Sequence, residues 1–236
     1  MNKLAILIVN INNSEHLNNI LEDLSKQNNM NFDLCIIDQG STENILGIIS
    51  KFKNHLNINF IQNGYNKNLN SVWNDFHEMY KNELLLFLNN DIRISNNFVN
   101  DTIISFERYE NVGIVCHSTN HPSYNIAKKQ LDIRIVPSFL YKQGWDFCIR
   151  RILYKKIPDV LTIYCGDDFI FEHVYRQNYN FAFILSSPII HYQGESIKFL
   201  TTQPNDVSKY VQLGYTHNLK TCADYTRIKP TFKKIL

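Results

Sequence analysis

The sequence lacks the features that mark several common protein classes. Its five cysteines are odd in number and scattered through the chain, and none of them forms a CxxC pair. Such spacing indicates neither a disulfide framework nor a zinc site, so a reducing cytoplasm is the location we expect. The formal charge of +2 and the pI near 8.2 fall short of the basic balance of a dedicated nucleic-acid binder.

Long hydrophobic runs and glycine-rich loops are also missing. The first apolar run, Leu4 to Val9, is too short to cross a membrane, and no small-residue cleavage site follows it. We expect this run to be a strand. The next segment, "VNINNSEH", contains neither glycine nor lysine, whereas a nucleotidyltransferase would carry a glycine-rich, basic phosphate loop there.

Strands and helices are predicted to alternate through the first 95 residues. The apolar runs "KLAILIVNI", "FDLCIIDQGS", "INFIQN" and "LLLFLNND" each end in polar residues. Helical stripes of apolar residues lie between them, and Ser14 is predicted to cap the first helix. This order predicts an α/β fold with a mostly parallel sheet covered by helices on both faces.

Small polar side chains follow each predicted strand. They lie at Asn10 and Asn12, at 38–42, at 63–68 and at 89–91. The carboxyl ends of parallel strands meet at one edge of a sheet, where loops and helix N-termini converge, so this edge is the predicted binding site. Asparagine and aspartate are also ordinary turn residues, which leaves a purely structural role open for each loop taken singly.

Several motifs in their order resemble those of family 2 glycosyltransferases, which have the GT-A fold. "ILIVNINN" resembles the opening strand and loop of that family, "CIIDQGSTEN" its D-x-G-S-T-[DE] segment, and "NKNLNSVWN" its N-x-G-x-x-x-x-x-N segment. "LFLNND" stands where the family carries D-x-D. Beyond the middle, "GWDFCIRRILYKKI" is similar to the acceptor-side segment, "GDDFIFEHVYRQNYNFAF" to the G-[ED]-D element, and "IIHYQGES" to the late histidine with its glycine and serine.

The resemblance implies a GT-A-like domain over residues 1–200 with a C-terminal extension over 201–236. Residues 1–95 would be the nucleotide-binding half and residues 96–200 the acceptor half. The implied reaction is inverting transfer of a sugar from a UDP- or dTDP-linked donor to a hydroxyl acceptor, foremost a glycan. The residues implied in donor binding are Asn10, Asn12, Asp38, Gly40, Ser41, Asn66, Asn74, Asn89 and Asn90.

A divalent cation, Mn²⁺ or Mg²⁺, is implied at Asp91 and His191. A diphosphate leaving group needs its charge neutralised, and carboxylate and imidazole ligands are suited to such a cation. Asn89 replaces the usual first acid of the family, which weakens the metal prediction. Asp91 could instead be a helix cap or turn residue, and His191 an ordinary histidine at a strand end.

The acids Asp167 and Asp168 precede a predicted helix. The resemblance implies that Asp168 is the base that removes the acceptor's proton, with Asp167 orienting the acceptor or fixing the loop. Two acids that favour a helix N-terminus are the alternative. Trp145 is either a platform for the apolar face of a sugar or a core residue, and Asp38 either contacts the base or ribose or forms an Asx-turn.

Three alternatives remain open. The basic cluster formed by Arg150, Arg151, Lys155 and Lys156 favours a glycosyltransferase acting on a hydroxymethylated DNA base, although such clusters are usually solvated helix faces. A nucleotidyltransferase is the second alternative, and a non-catalytic protein that binds nucleotide sugars is the third. We expect a cytoplasmic protein without a transmembrane segment, in which peripheral contact with the inner membrane surface would allow a lipid-linked acceptor.

Overall fold

The computed structural model describes residues 3–119, 130–136, 141–192, 205–215 and 220–221. The first half alternates as predicted: β1 (Leu4–Asn10), α1 (Ser14–Ser25), β2 (Phe32–Asp38), α2 (Ile45–Phe52), β3 (Ile58–Gln62), α3 (Leu69–Met79) and β4 (Leu84–Asn89). Each of these strands ends at the polar residues identified from the sequence.

The second half mixes short and long elements. They are β5 (Ile92–Arg93), α4 (Phe98–Arg108), β6 (Val112–Thr119), β7 (Ile133–Val136), β8 (Tyr141–Lys142), β9 (Asp146–Arg150), a 3-10 turn (Arg151–Leu153), α5 (Gly166–Arg176), β10 (Asn180–His191), α6 (Asp206–Gln212) and β11 (Lys220–Thr221). Of the helices in the described ranges, none is long and apolar enough to cross a membrane.

Nine of the described strands form one sheet in the order β3-β2-β1-β4-β9-β6-β10-β5, with β7 also paired to β10. The first four strands are parallel, and Leu4 of β1 lies opposite Phe32 of β2 and Leu84 of β4. β9 runs antiparallel between β4 and β6, so it joins the two halves of the chain in one sheet. The predicted mostly parallel α/β sheet is confirmed.

Both faces of the sheet are covered, which explains why its strands are apolar throughout. On one face, even-numbered residues of β1 such as Ile6 pack with α1, α2 and α4. On the other face, odd-numbered residues such as Leu7 pack with α3 and α5, where Trp73, Phe87 and Phe147 form an aromatic cluster. Helices on both faces were predicted, and the structure confirms them.

One local prediction was wrong. Ser14 does not cap α1, because the N-cap residue is Asn13 and Ser14 is the first residue of the helix. The backbone N–H of Ser14 instead donates to the carboxylate of Glu43, 2.8 Å away. A carboxylate from the neighbouring loop therefore satisfies a donor at this helix N-terminus, where a negative charge is also favoured by the helix dipole.

Candidate active site

The carboxyl ends of β1, β2 and β4 are joined by buried side-chain hydrogen bonds. Asn90 Nδ2 donates to Asn10 Oδ1 at 2.7 Å, and Asn10 Nδ2 donates to Asp38 Oδ1 at 3.0 Å. Asp38 Oδ2 accepts from the backbone N–H of Ser41 at 3.0 Å. From β1 the chain builds the sheet outward through β2 and β3, and it then crosses back to place β4 on the other side of β1. This network therefore lies at the point where the strand order reverses.

The loop after β2 is shaped by these contacts. Asn12 Oδ1 accepts from the backbone N–H of Thr42 at 2.7 Å, and the Ser41 hydroxyl accepts from the backbone N–H of Asn12 at 2.8 Å. Gly40 has a φ of +77°, and a Cβ there would lie 3.1 Å from the Tyr65 Cα. Glycine is therefore required both by the left-handed backbone and by the close approach of the loop after β3.

Asp38 forms the Asx-turn, since its carboxylate accepts from the backbone N–H and the hydroxyl of Ser41 three residues later. It is fully buried, so it shapes this loop from within the protein. Its contact with a base or ribose stays a prediction. Gln39, which the sequence analysis missed, holds the next loop: Gln39 Oε1 accepts from Asn63 Nδ2 at 2.9 Å and from the Lys67 backbone N–H at 3.1 Å. Asn66 is exposed in that same loop.

Asn74 has a different place from the other predicted donor-binding residues. It is buried in the middle of α3, where Asn74 Nδ2 donates to the carbonyl of Ile157 at 2.9 Å. Asn74 Oδ1 accepts from the Tyr154 hydroxyl at 3.0 Å and from the Ile157 backbone N–H at 2.9 Å. These bonds fix the segment after the 3-10 turn to α3, which is a structural role.

Asp91 and His191 are brought together by the pairing of β5 with β10. His191 lies opposite Ile92 in the antiparallel register, and the backbone N–H of Tyr192 donates to the Asp91 carbonyl at 3.0 Å. As a result His191 Nε2 is 3.3 Å from Asp91 Oδ1. Asp91 is 1% exposed, and it does not cap a helix, because α4 begins only at Phe98.

This pair is suited to a divalent cation. Asp91 Oδ1 is buried and makes no hydrogen bond within the described structure, which leaves a hard oxygen donor beside an imidazole nitrogen. The described ranges contain no group of three or more histidine, cysteine, aspartate or glutamate residues placed to hold one metal ion.

Trp145 lies next to the pair. Its indole ring stacks on the His191 imidazole with a centroid distance of 5.0 Å and an interplanar angle of 20°. Trp145 Nε1 donates to Thr119 Oγ1 at 3.1 Å, and the Trp145 carbonyl accepts from the Asn89 backbone N–H at 2.8 Å. Trp145 is partly buried, so it lies at the border between the site and the core.

A buried polar cluster supports Trp145, and the sequence analysis missed it. His117 Nδ1 lies 3.0 Å from Asp146 Oδ2, which also accepts from the His117 backbone N–H, and Gln143 Nε2 donates to the His117 carbonyl at 3.0 Å. Burial lowers the pKa of His117 to about 3 and raises the pKa of Asp146 well above its usual range, so the charged form of each is disfavoured.

The two acids lie in the first turn of α5. The N-cap residue is Cys165, so neither acid is the N-cap, although both are placed where the helix dipole favours a negative charge. Asp167 is partly exposed, and a Cβ on Gly144 would lie 2.6 Å from Asp167 Oδ2. The Asp167 carboxylate therefore contacts the loop that carries Trp145. Asp168 is 1% exposed.

The two arginines of the basic cluster are bonded to backbone carbonyls, whereas Lys155 and Lys156 are exposed. Arg150 Nε and Nη2 donate to the carbonyls of Val112 and Phe106, each at 2.9 Å, and Arg151 Nε donates to the Tyr80 carbonyl at 2.9 Å. Phe106 lies in the last turn of α4 and Tyr80 is the C-cap of α3, where helices leave carbonyl acceptors unsatisfied, and Val112 begins β6. The interpretation that the two arginines contact DNA phosphates thus loses its basis. The C-terminal residues 227–236, which also interleave basic and aromatic side chains, lie outside the described residues, as does the segment 193–196.

Comparisons with known proteins agree with this architecture. A family model described as Glycosyl transferase family 2 matches residues 5–178. No curated protein sequence matches the chain.

Solved structures share the fold at low sequence identity. S. aureus TarS (1-349) in complex with UDP-GlcNAc superposes with a TM-score of 0.69 at 17% identity, over 89% of this chain and 65% of that one. The mannosyltransferase PcManGT from Pyrobaculum calidifontis, in complex with GDP-Man and Mn²⁺, gives 0.65 at 11% identity, over 82% and 57%. GalNAc-T7 with UDP, GalNAc and Mn²⁺ gives 0.67 at 14%, over 88% and 47%. This chain spans less than two thirds of each of these structures.

Proposed function

Since the chain belongs to glycosyl transferase family 2, we propose that it transfers a sugar from a nucleotide-sugar donor to a hydroxyl acceptor with inversion at the anomeric carbon. Its fold is that of the GT-A glycosyltransferases. The observation that carries the proposal is the Asp91 and His191 pair, which lies at the same edge of the sheet as the polar network of Asn10, Asp38 and Asn90.

The donor is proposed to bind across the ends of β1, β2 and β4. The loops after β2 and β3 present backbone and amide groups held in place by Asp38 and Gln39, which is the arrangement that a nucleoside needs. Residues 1–95 form the donor half in this proposal, residues 96–200 the acceptor half, and residues 201–236 an extension. UDP and dTDP sugars are the first donors to test.

Asp91 and His191 are proposed to hold a divalent cation, Mn²⁺ or Mg²⁺, against the donor diphosphate. When bound, the cation neutralises the charge that develops on the leaving diphosphate. Asn89 carries no charge, so among the residues of the "NND" segment Asp91 alone supplies a carboxylate. Two of the solved structures with this fold contain Mn²⁺, which supports the choice of metal.

The acceptor is proposed to bind between Trp145 and the first turn of α5. An indole face packs well against the apolar face of a sugar ring, so a glycan is the preferred acceptor. Asp168 is proposed to take the proton of the acceptor hydroxyl while that oxygen attacks the anomeric carbon. The bond to the diphosphate breaks in the same step, and its electrons leave with the nucleoside diphosphate. Asp167 is proposed to fix the Trp145 loop through Gly144.

The test is metal-dependent turnover of a donor panel. The full chain is incubated with UDP-, dTDP- and GDP-linked sugars, with and without Mn²⁺ or Mg²⁺, and release of the nucleoside diphosphate is measured. We expect release with one nucleotide class only in the presence of metal. Asp91→Asn should greatly weaken metal-dependent donor affinity in calorimetric titration, because it removes the ligand charge.

Asp159→Asn is the matched control, since it makes the same change at an exposed carboxylate. It should behave like the parent protein. Donor binding without any turnover would favour the non-catalytic alternative, and metal-dependent affinity that is unchanged in both Asp91→Asn and His191→Ala would reject the proposed metal site.

A further inference from the structure

Asp206, the first residue of α6, binds the loop that leads into α5. Its carboxylate accepts hydrogen bonds from three successive backbone N–H groups, those of Thr162 at 3.0 Å, Ile163 at 2.8 Å and Tyr164 at 2.9 Å. The Thr162 hydroxyl adds a further bond at 3.1 Å. Asp206 is 0% exposed and lies beyond residue 178, where the match to the family model ends.

The charge of Asp206 is maintained despite this burial. Burial alone would raise the pKa of Asp206, but the hydrogen bonds from Ile163, Tyr164 and Thr162 outweigh that effect and hold the pKa below its usual value. Hydrogen bonds from neutral donors to a charged acceptor are about twice as strong as those between neutral groups. The loop is therefore fixed by an ionised group and not by packing alone.

The loop needs such support because it ends in an unfavourable backbone conformation. Cys165, the N-cap residue of α5, has φ 60° and ψ 10°. This is the left-handed region, which residues other than glycine and asparagine rarely adopt. Residues in such conformations persist only where the surrounding contacts impose them, and they are concentrated at functional sites. Asp167 and Asp168 follow Cys165 after a single residue, so its conformation sets their direction.

The opposite side of the same loop is held by the donor half of the molecule. The backbone N–H of Asn70, in the first turn of α3, donates to the Thr162 carbonyl at 3.1 Å, and Asn70 Nδ2 donates to the Tyr164 carbonyl at 3.2 Å. Asn70 Oδ1 lies so close to Gly166 that a Cβ there would be 2.1 Å away. The loop thus lies between two helices: its N–H groups donate to Asp206 of α6, and its carbonyls accept from Asn70 of α3.

α6 is itself anchored along α5. The Tyr210 hydroxyl donates to Glu172 Oε2 at 2.8 Å, and the Tyr215 ring contacts Phe169 and stacks on Tyr210. Burial and the hydrogen bond to Glu172, with the charge of nearby Asp168, raise the pKa of Tyr210. The helix that carries Asp206 is therefore attached to the same element that carries the two acids.

We propose that Asp206 is a positioning residue, which fixes the loop 162–165 and through it the direction of Asp167 and Asp168 at the N-terminus of α5. This inference rests on the proposed function for its effect on catalysis, but the fixing of the loop is independent of it.

The test compares Asp206→Asn with Asp159→Asn. Asparagine keeps the shape of Asp206 and one acceptor oxygen, which can take the place of Oδ2, but it removes the charge that strengthens the three backbone hydrogen bonds to that oxygen. We expect kcat for metal-dependent donor hydrolysis to fall at least tenfold while the calorimetric donor affinity stays within twofold. Hydrogen–deuterium exchange should accelerate in peptides covering 162–168 and remain parental in peptides covering β1 and β2. Asp159→Asn should match the parent protein in all three measurements.

Parental kcat in folded Asp206→Asn would overturn the proposal, and so would a loss of kcat with unchanged exchange over 162–168. If Asp206→Asn does not fold, Asp206→Glu is used in its place, because it keeps the charge and shifts the carboxylate. A smaller loss of kcat with unchanged donor affinity and faster exchange over 162–168 supports the proposal. Parental kcat with parental exchange overturns it. If the parent protein hydrolyses no donor, the proposed function fails, and the exchange measurement alone decides whether Asp206 fixes the loop.

Discussion

Gly144→Ala offers a way to move the Asp167 carboxylate without changing Asp167 itself. The new Cβ would lie 2.6 Å from Asp167 Oδ2 and 3.1 Å from Asp167 Cγ. To restore an ordinary contact of 3.4 Å, the carboxylate oxygen must retreat by about 0.8 Å. Because the displaced atom is the end of a side chain, we expect the free energy of unfolding to change by less than about 1 kcal/mol.

The effect on turnover should be much larger than the effect on stability. A misplacement of about 1 Å near reacting groups can cost about 10²-fold in rate, which corresponds to about 2.7 kcal/mol in the activation free energy. We therefore expect Gly144→Ala to lower metal-dependent donor hydrolysis by about tenfold to a hundredfold, with donor affinity unchanged. Asp159→Asn is the control, since it changes an exposed side chain outside the proposed site.

A double-mutant cycle separates the contact with Asp167 from other effects of the methyl group. In an Asp167→Ala background the displaced carboxylate is absent, so adding Gly144→Ala should cause little further loss, and the two changes should be strongly non-additive. Full additivity would show that Gly144→Ala acts through something other than Asp167. Parental turnover in Gly144→Ala would refute the idea that the position of this carboxylate matters.

Three further predictions concern the base, the extension and the surface. Asp168→Asn should lower transfer by about 10² to 10⁴ with donor affinity within a few-fold, and Asp167→Asn should be milder; the opposite ranking would exchange their roles. Because the pKa of Asp206 is depressed in the folded protein, its contribution to stability is complete above its unfolded pKa of about 3.9 and is lost as the pH falls through the folded value. The free energies of unfolding of parent and Asp206→Asn should therefore converge below about pH 4, and a constant difference down to pH 2 would contradict the assignment. Replacing Lys155 and Lys156 by glutamine should not weaken duplex DNA binding at low salt, and a tenfold loss with a flatter salt dependence would restore DNA as an acceptor.

The sequence predicted the parts of the site that follow from strand geometry. Asn10, Asp38 and Asn90 end parallel strands, and such ends share one edge of the sheet, so their proximity could be expected before any coordinates. The pairing of Asp91 with His191 could not be derived in this way, because nothing local relates two residues that are 100 positions apart. That pair was expected only from the resemblance to a family.

Other features depend on tertiary contacts that no sequence pattern reports. The run "VGIVCHST" resembles any apolar strand, so the buried contact of His117 with Asp146 was not foreseen. Arg150 and Arg151 looked like surface charge, but both donate to carbonyls at the ends of helices. Asn74 fitted a family motif, while its side chain faces the segment at Ile157.

The pairing of β5 with β10 means that the contact between Asp91 and His191 also reports complete folding of the sheet. A chain in which β1 to β4 have assembled already has Asp91 in place, but His191 arrives only when the last strand of the main sheet docks beside β5. Contacts of such long sequence separation are costly to form early, because the intervening chain must be ordered first. A cation that binds only the assembled pair would stabilise the native state over every partly folded form, by about 2.7 kcal/mol at a free concentration one hundred times its Kd. The supply of such a cation would then set how long β10 stays docked beside β5.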